Sequence, residues 1–571
     1  MQDLVRYPVR YNHVGYVPCG PKIFFVVPTL IDVLKSESSE KLVAKNFGFR
    51  VETVVDGVVA LEGLLREGSF DHSGVCEYSD ENLWSGDFSK LNTVGEFRIQ
   101  IVFDGKVVFT TEKFKISDSW IERQLKANIK SFYFQRSGVE LPEEFAGKWA
   151  RPAAHFDDCI GFHKMMNREG TWNAHGGWYD AGDYGKYIVN GGVSVGTMLL
   201  ACSVCDGRID PKKCSTDFVN VGGTFELPTS LKEELRFELD FFARMQDTDG
   251  GVFFKVSPEH WDGFISPKDS DLLQKRLILG KSTTSTLNFA GVMAAACGVY
   301  RGTDESFAGQ CLQAAERAYR WAVEHPDAEW PHNTEGSGGY GDEHVDDEFF
   351  WARVALFCNG SFGELKEQIV CDMEQNPPNF GVDWRDTQNM GWMLLALQDK
   401  DLELQQKARE TLEKVAAEII RLQKADPYGI SIRKFIWGSN GEISNHALTL
   451  AVVSTWRKEV DGEILLDWCR EQLNFVYGRN PVNRSFVTGS AWSSPMHVHH
   501  RLSHSDGVKE PIPGLLAGGL NKDRQDMHRA PHYPSLLEGH SYTDERCSFA
   551  SNETAINWNS PLTAVLAILC L

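Results

Sequence analysis

A chain of 571 residues exceeds the size at which a single hydrophobic core usually stops growing, so two domains are expected. With 42% hydrophobic and 24% charged residues it reads as globular, and a net charge of -21 excludes a phosphate-backbone partner, which needs clustered Lys and Arg. No nucleic acid is expected; a neutral sugar is compatible with an acidic protein, and an amino sugar would be attracted by it.

The opening Met1-Gln-Asp-Leu-Val-Arg-Tyr-Pro has no basic stretch leading into an apolar one, so no secretory signal is read there and the cytoplasm is the expected compartment. Thirteen cysteines, odd in number and scattered, suit reduced thiols better than a disulfide framework. No membrane span is expected: Leu562 to Leu571 is too short and reads as a buried closing helix. The oligomeric state is left open.

From Val5 to about Ile116, short β-rich runs alternate with turn residues. They are Phe24-Phe25-Val26-Val27, Val51 to Val55, Phe97 to Phe103 and Val107-Val108-Phe109, with hairpin turns at Asp56-Gly57 and Asp104-Gly105. The pattern predicts a β-sandwich of immunoglobulin size, roughly 100 residues, over residues 1–116. Residues 117–571 then read as helical. Leu231, Leu235, Leu239 and Phe242 recur at helical spacing, as do Ala408, Leu412, Val415, Ile419 and Leu422. Helices are predicted near 119–135, 188–204, 229–246, 285–301, 306–324, 346–357, 362–374, 388–397, 401–424, 443–457, 463–477 and 561–570. Ser560 is the expected N-cap of the last, with Pro561 its first helical residue. A solenoid and a closed ring of hairpins both fit such a series.

Loops rich in Gly and aromatics fall between these helices. Gly176 to Lys186 reads Gly-Gly-Trp-Tyr-Asp-Ala-Gly-Asp-Tyr-Gly-Lys and places Asp180 and Asp183 three apart. Paired carboxylates hold a water and take its proton, aromatic rings offer apolar faces to a pyranose, and glycines permit close approach. The same spacing also suits a polar turn with one Asp as a helix cap. His497, His499, His500 and His504 suit sugar hydroxyls better than a metal, since Arg501 is a poor neighbour for a cation.

In order along the chain, Asn12-His-Val-Gly-Tyr16, Phe134-Gln-Arg-Ser-Gly138, Gly177-Trp-Tyr-Asp-Ala-Gly-Asp183, Met245 to Gly251, Asp347-Glu-Phe-Phe-Trp-Ala352 and Trp437-Gly-Ser-Asn440 are followed by Gly478-Arg-Asn-Pro481, Phe486 to Gly489, His499-His-Arg501 and the block Asp544 to Glu553. Together they resemble glycoside hydrolase family 9, cellulases that pair an N-terminal immunoglobulin-like domain with an α/α toroid of six helical hairpins. The resemblance implies an inverting hydrolase with Asp183 as catalytic base, Asp180 as its partner in holding the water and Glu553 as general acid. His499 and Arg501 correspond to sugar-binding positions. Inversion implies carboxyl groups about 6.5–9.5 Å apart. Trp178 and Tyr179, which adjoin the base, and Tyr542 and Asn552, near the acid, complete the expected substrate contacts.

No metal is assigned. Some relatives have a structural zinc site with a Cys-His pair, where this chain has Ala154-His155, and the acidic loop Gly341 to Asp347 is a possible source of calcium ligands. The substrate expected is a β-linked oligosaccharide of cello- or chitosan type, cleaved from a chain end. A β-1,4-endoglucanase with an open cleft is the alternative, and a non-catalytic sugar-binding protein of the same fold is disfavoured by the presence of all three carboxylates.

Overall fold

The computed structural model describes residues 4–31, 47–205, 230–330, 334–342, 344–360, 363–457 and 460–571, with the short strand pair Thr216–Asp217 and Thr224–Phe225. Two sheets form the N-terminal sandwich. One orders Val9–Arg10, Ile23–Val26, Trp84–Asp87 and Arg66–Glu67; the other orders Gly15–Tyr16, Phe114–Ile116, Gly95–Phe103, Phe47–Thr53 and Val59–Leu64, with Lys106–Thr110 also paired to Gly95–Phe103. Alternate residues of Gly95–Phe103 point inward, so Phe97, Ile99 and Ile101 meet Phe24, Phe49 and Phe114 in the core. The tight turn at Asp104-Gly105 has both residues at positive φ, as a two-residue hairpin requires.

Twelve helices of ten residues or more follow among the described residues and form the α/α toroid. Ile188–Cys205, Thr283–Tyr300, Asp346–Asn359, Gln388–Leu397, Ser439–Ser454 and Ile556–Leu569 are buried on nearly every side and make the inner ring. The last packs on both Ile188–Cys205 and Ser439–Ser454. Outer helices are amphipathic: Leu231–Met245 buries Leu235, Leu239 and Phe242 and leaves Arg236 and Asp240 partly open, and Ser230 with Glu233 forms a capping box at its start. Ile188–Cys205 is long and apolar enough to cross a bilayer, yet its neighbours in the ring cover it. Its Cys202 and Cys205 stand three apart; burial pushes the Cys202 thiol up to about 12, and no disulfide joins the described cysteines.

The final helix departs from expectation. It begins at Ile556 with Ala555 at the N-cap, and Pro561 lies inside it. The N–H that proline lacks leaves the Asn557 carbonyl without its helical donor, and the Ser560 hydroxyl donates to that carbonyl at 3.4 Å, so the helix passes through.

A five-stranded sheet lies beside the inner ring, where the sequence pattern predicted only helices and loops. It orders Thr171–Trp172, Ile160–Phe162, Arg276–Lys281, Phe253–Pro258 and Lys186–Tyr187. The sandwich is fixed to the toroid through the Asn12-His-Val-Gly-Tyr16 segment. Asn12 donates to Asn474 at 2.9 Å, His13 bonds the Ser493 hydroxyl at 2.5 Å, and Gly478 at φ +135° leaves room for the His13 ring, which a Cβ would meet at 2.7 Å.

Candidate active site

Asp180 and Asp183 occupy a loop stitched to two distant segments. Ile556 donates its backbone N–H to the Asp180 carbonyl at 2.9 Å, and Arg501 donates to the Gly182 carbonyl at 2.9 Å. Only glycine fits at 182, because a Cβ would fall 2.1 Å from the His499 carbonyl oxygen. His499 in turn donates to the Asn552 carbonyl at 2.9 Å and bridges to Glu553, whose own carbonyl accepts from Gly518 at 2.8 Å. Residues more than 300 positions apart are thereby brought into one site, with Asp180, Asp183 and Glu553 together.

The three carboxyl groups have different settings. Asp180 is buried and accepts from the Asn190 amide at 2.6 Å and the Tyr340 hydroxyl at 2.5 Å. Burial, and then the charge of Asp183, push it up to about 7 against those bonds. Asp183 accepts from the Gly185 N–H at 3.2 Å. Glu553 is raised well above the ordinary carboxyl range, chiefly by burial and next by Asp183, with Arg501 opposing.

Of the six expected substrate contacts, His499 alone is partly open. Its Nδ1 meets the Arg546 carbonyl at 2.8 Å, and burial lowers it to about 4, which leaves a neutral ring in neutral solution. The other five are buried. Trp178 is 1% exposed because Gly176 and Gly177, both at positive φ, turn it inward against Phe132, where its indole N–H donates to Glu234 at 2.9 Å. Tyr179 is wholly buried, with its hydroxyl 2.8 Å from His155 Nδ1. Tyr542 donates to Asn552 at 2.5 Å, and Asn552 donates to the His497 carbonyl at 2.7 Å, so both fasten the segment before Glu553. The Arg501 guanidinium is buried and donates to the Asp262 and Gly182 carbonyls at 2.8–3.0 Å; it braces the loop and bears on Glu553 through its charge.

The exposed aromatic surface lies elsewhere. Trp437, 41% exposed, packs at 5.4 Å from Phe549; Phe549 is 6.2 Å from His499, and His499 5.2 Å from Phe264, over which Arg546 sits at 4.9 Å. This row runs along the Glu553 side. On the Asp180 side, Tyr340 meets Trp384 at 5.2 Å and Tyr187 at 4.8 Å, both edge-on. Trp351 is buried in the core, and Trp492 packs on His13. Sequence reasoning assigned no role to Asn190, Tyr340 or Phe264. Tyr340 had a signal, the Gly-rich run 336–340; Asn190 and Phe264 had none.

Among the described residues no three His, Cys, Asp or Glu side chains are grouped to hold a metal ion. The candidate histidines bond separately: His500 to Ser503 and Gln135, and His504 to the Val498 carbonyl. Glu343 of the acidic loop lies outside the described residues.

A model of glycosyl hydrolase family 9 matches residues 122–566, and one of the cellulase N-terminal ig-like domain matches residues 5–106. This chain belongs to glycosyl hydrolase family 9. It is 31% identical to a xyloglucan-specific endo-beta-1,4-glucanase of Bacteroides ovatus, over 98% of this chain and 93% of that protein. It is 28% identical to a cellodextrinase of Butyrivibrio fibrisolvens, over 88% of this chain and 92% of that one. The crystal structure of a metagenome-derived family 9 endoglucanase superposes with a TM-score of 0.85 at 26% identity, covering 98% of each chain. Membership in family 9 makes the protein a glycoside hydrolase.

Proposed function

We propose that this family 9 enzyme hydrolyses short β-1,4-linked oligosaccharides of cello- or chitosan type with inversion, releasing glucose or glucosamine units from a chain end. Asp183 takes a proton from the attacking water, Asp180 steadies that water, and Glu553 protonates the leaving oxygen. The observation that carries the reading is the setting of Glu553: half-buried, tied by its backbone to the His499 segment and pressed by the charges of Asp183 and Asp180, it is raised well above the ordinary carboxyl range, as suits a general acid that must deliver a proton. The overall charge of -21 would attract an amino sugar and is compatible with a neutral one, so net charge by itself selects neither. A cellodextrinase among the relatives supports a short substrate. The absence of disulfides among the described cysteines suits a reducing compartment such as the cytoplasm.

A second reading, a β-1,4-endoglucanase with an open cleft, is favoured by the names of several relatives. Product analysis separates the two. On cello- and chitosan-oligosaccharides of graded length, the first reading gives monosaccharide from the start, with turnover of the disaccharides. Cleavage of long glucans alone, yielding mixed oligomers, would overturn it.

A further inference from the structure

Asp180 is held at four points. Its backbone N–H donates to the Gly185 carbonyl at 2.9 Å, and its own carbonyl accepts from Ile556, also at 2.9 Å. Each carboxyl oxygen accepts one side-chain donor, Oδ1 from Asn190 Nδ2 at 2.6 Å and Oδ2 from the Tyr340 hydroxyl at 2.5 Å. The two donors stand on different supports. Tyr340 comes from residues 335–342, which are fastened along the strand Phe253–Pro258. There the buried Lys255 ammonium and the Tyr187 hydroxyl donate to the Gly338 carbonyl at 2.8 and 3.0 Å, and the Ser257 and Ser337 hydroxyls meet at 2.7 Å. Asn190 comes from the first turn of the inner-ring helix Ile188–Cys205, where it is wholly buried and its carbonyl accepts from the Ser194 hydroxyl at 2.8 Å.

Packing alone does not explain an amide at 190. Its nitrogen must face Asp180, because an amide oxygen at 2.6 Å would repel the carboxylate, and among the described residues its own oxygen then meets no donor. A buried acceptor without a donor costs stability, and the nearby Ile188, Val189 and Val193 are apolar and buried. What the amide supplies is a donor to one oxygen of Asp180. A carboxylate has about four acceptor sites, so two remain for a water once Asn190 and Tyr340 are bound. Donors on both oxygens favour the charged, accepting form of Asp180 against its burial and the charge of Asp183. The other titratable groups bearing on Asp180 are Tyr340, Tyr187, Glu238 and Glu553.

We propose that Asn190 is a positioning residue for the hydrolysis: its amide, fixed in the inner ring, orients the Asp180 carboxylate and holds it as an acceptor for the attacking water. The proposal rests on the reading of Asp180 as the residue that steadies that water. A hydrogen bond to the charged form of a carboxyl group favours that form, so removing the amide raises the pH at which Asp180 ionises.

The test is N190L, which keeps the branching of the side chain without its donor, compared with the wild type in kcat, KM and the pH dependence of kcat/KM. In N190L kcat should fall roughly 10–100-fold with KM little changed, and the acid limb should move up by about one pH unit. A merely structural asparagine would lower the melting temperature and leave both kcat of the folded enzyme and the limb in place. An undiminished kcat or an unmoved limb in folded N190L overturns the proposal. Should N190L not fold, N190A, which adds no atoms to the ring, is judged by the same two readings. D180N separates the two ideas. Full activity in D180N removes the reading of Asp180 itself, whereas an impaired D180N beside an N190L of wild-type kcat and limb removes only the role of Asn190.

Discussion

Two regions of the molecule bury many polar groups and treat them in opposite ways. At the junction of sandwich and toroid, the two buried arginines each have a carboxylate partner, while Asp426, pushed up to about 7 by burial, is held by the Tyr78 hydroxyl and backbone N–H groups. Arg10 donates to Glu81 at 2.6 Å, Tyr428 donates to the same carboxylate, and Arg479 is paired with Glu471. In the cleft, Asp180, Asp183 and Glu553 press on one another, and two of the three are held above the ordinary carboxyl range. Paired buried charges fix the domains in place. Like charges gathered around a cleft destabilise it and hold protons ready for transfer, the signature of a functional site.

The contrast is broken most severely at Glu553, the proposed acid. E553Q should lower kcat roughly 10²–10⁴-fold while the fold survives, and a substrate with an activated leaving group should recover much of the loss. Its stability has a definite sign. Because the proton affinity of Glu553 is higher in the folded chain than its ordinary value of 4.5, its contribution is present at low pH and lost as pH rises through the folded value. E553Q should therefore melt at or above the wild-type temperature in neutral solution, by calorimetry. The junction should respond in reverse. E81Q leaves Arg10 buried without its anion and should cost about 3–5 kcal/mol in denaturant titration, with kcat of the remaining folded enzyme unchanged. The smallest effect belongs to the aromatic row. Trp437→Ala should raise KM several-fold, a loss of about 0.5–1.5 kcal/mol, with kcat nearly intact, and an unchanged KM would remove Trp437 from the binding surface.

The helices were legible because their apolar residues recur at the helical period, and the sandwich because its strands alternate. The extra sheet was not: its strands are two to six residues long and spread from Thr171–Trp172 to Arg276–Lys281, too short to show a period. Lys255 went unnoticed with it, since a lysine in a short strand reads as solvated until the fold buries it. The resemblance marked Asp180, Asp183 and Glu553, and the backbone ties through Gly182, His499 and Ile556 bring them together. Trp178 and Tyr179, chosen for their closeness to Asp183 in sequence, are buried, because two glycines at positive φ turn the chain inward just before them. Trp437 and Phe264, far from Asp183 in sequence, are among the rings left at least partly open, as is Trp261 beside Arg501. Asn552 and Arg501 were placed in the right segments, but their polar atoms are taken up by backbone carbonyls.

The central claim is that Asp183 activates water on the face opposite the bond that Glu553 protonates. Proton NMR of the first product formed from a β-linked disaccharide tests it most directly, before mutarotation mixes the anomers. The account predicts the α-anomer as the initial product; an initial β-anomer would contradict it, since it would require the sugar to pass through a covalent intermediate on one of these carboxylates.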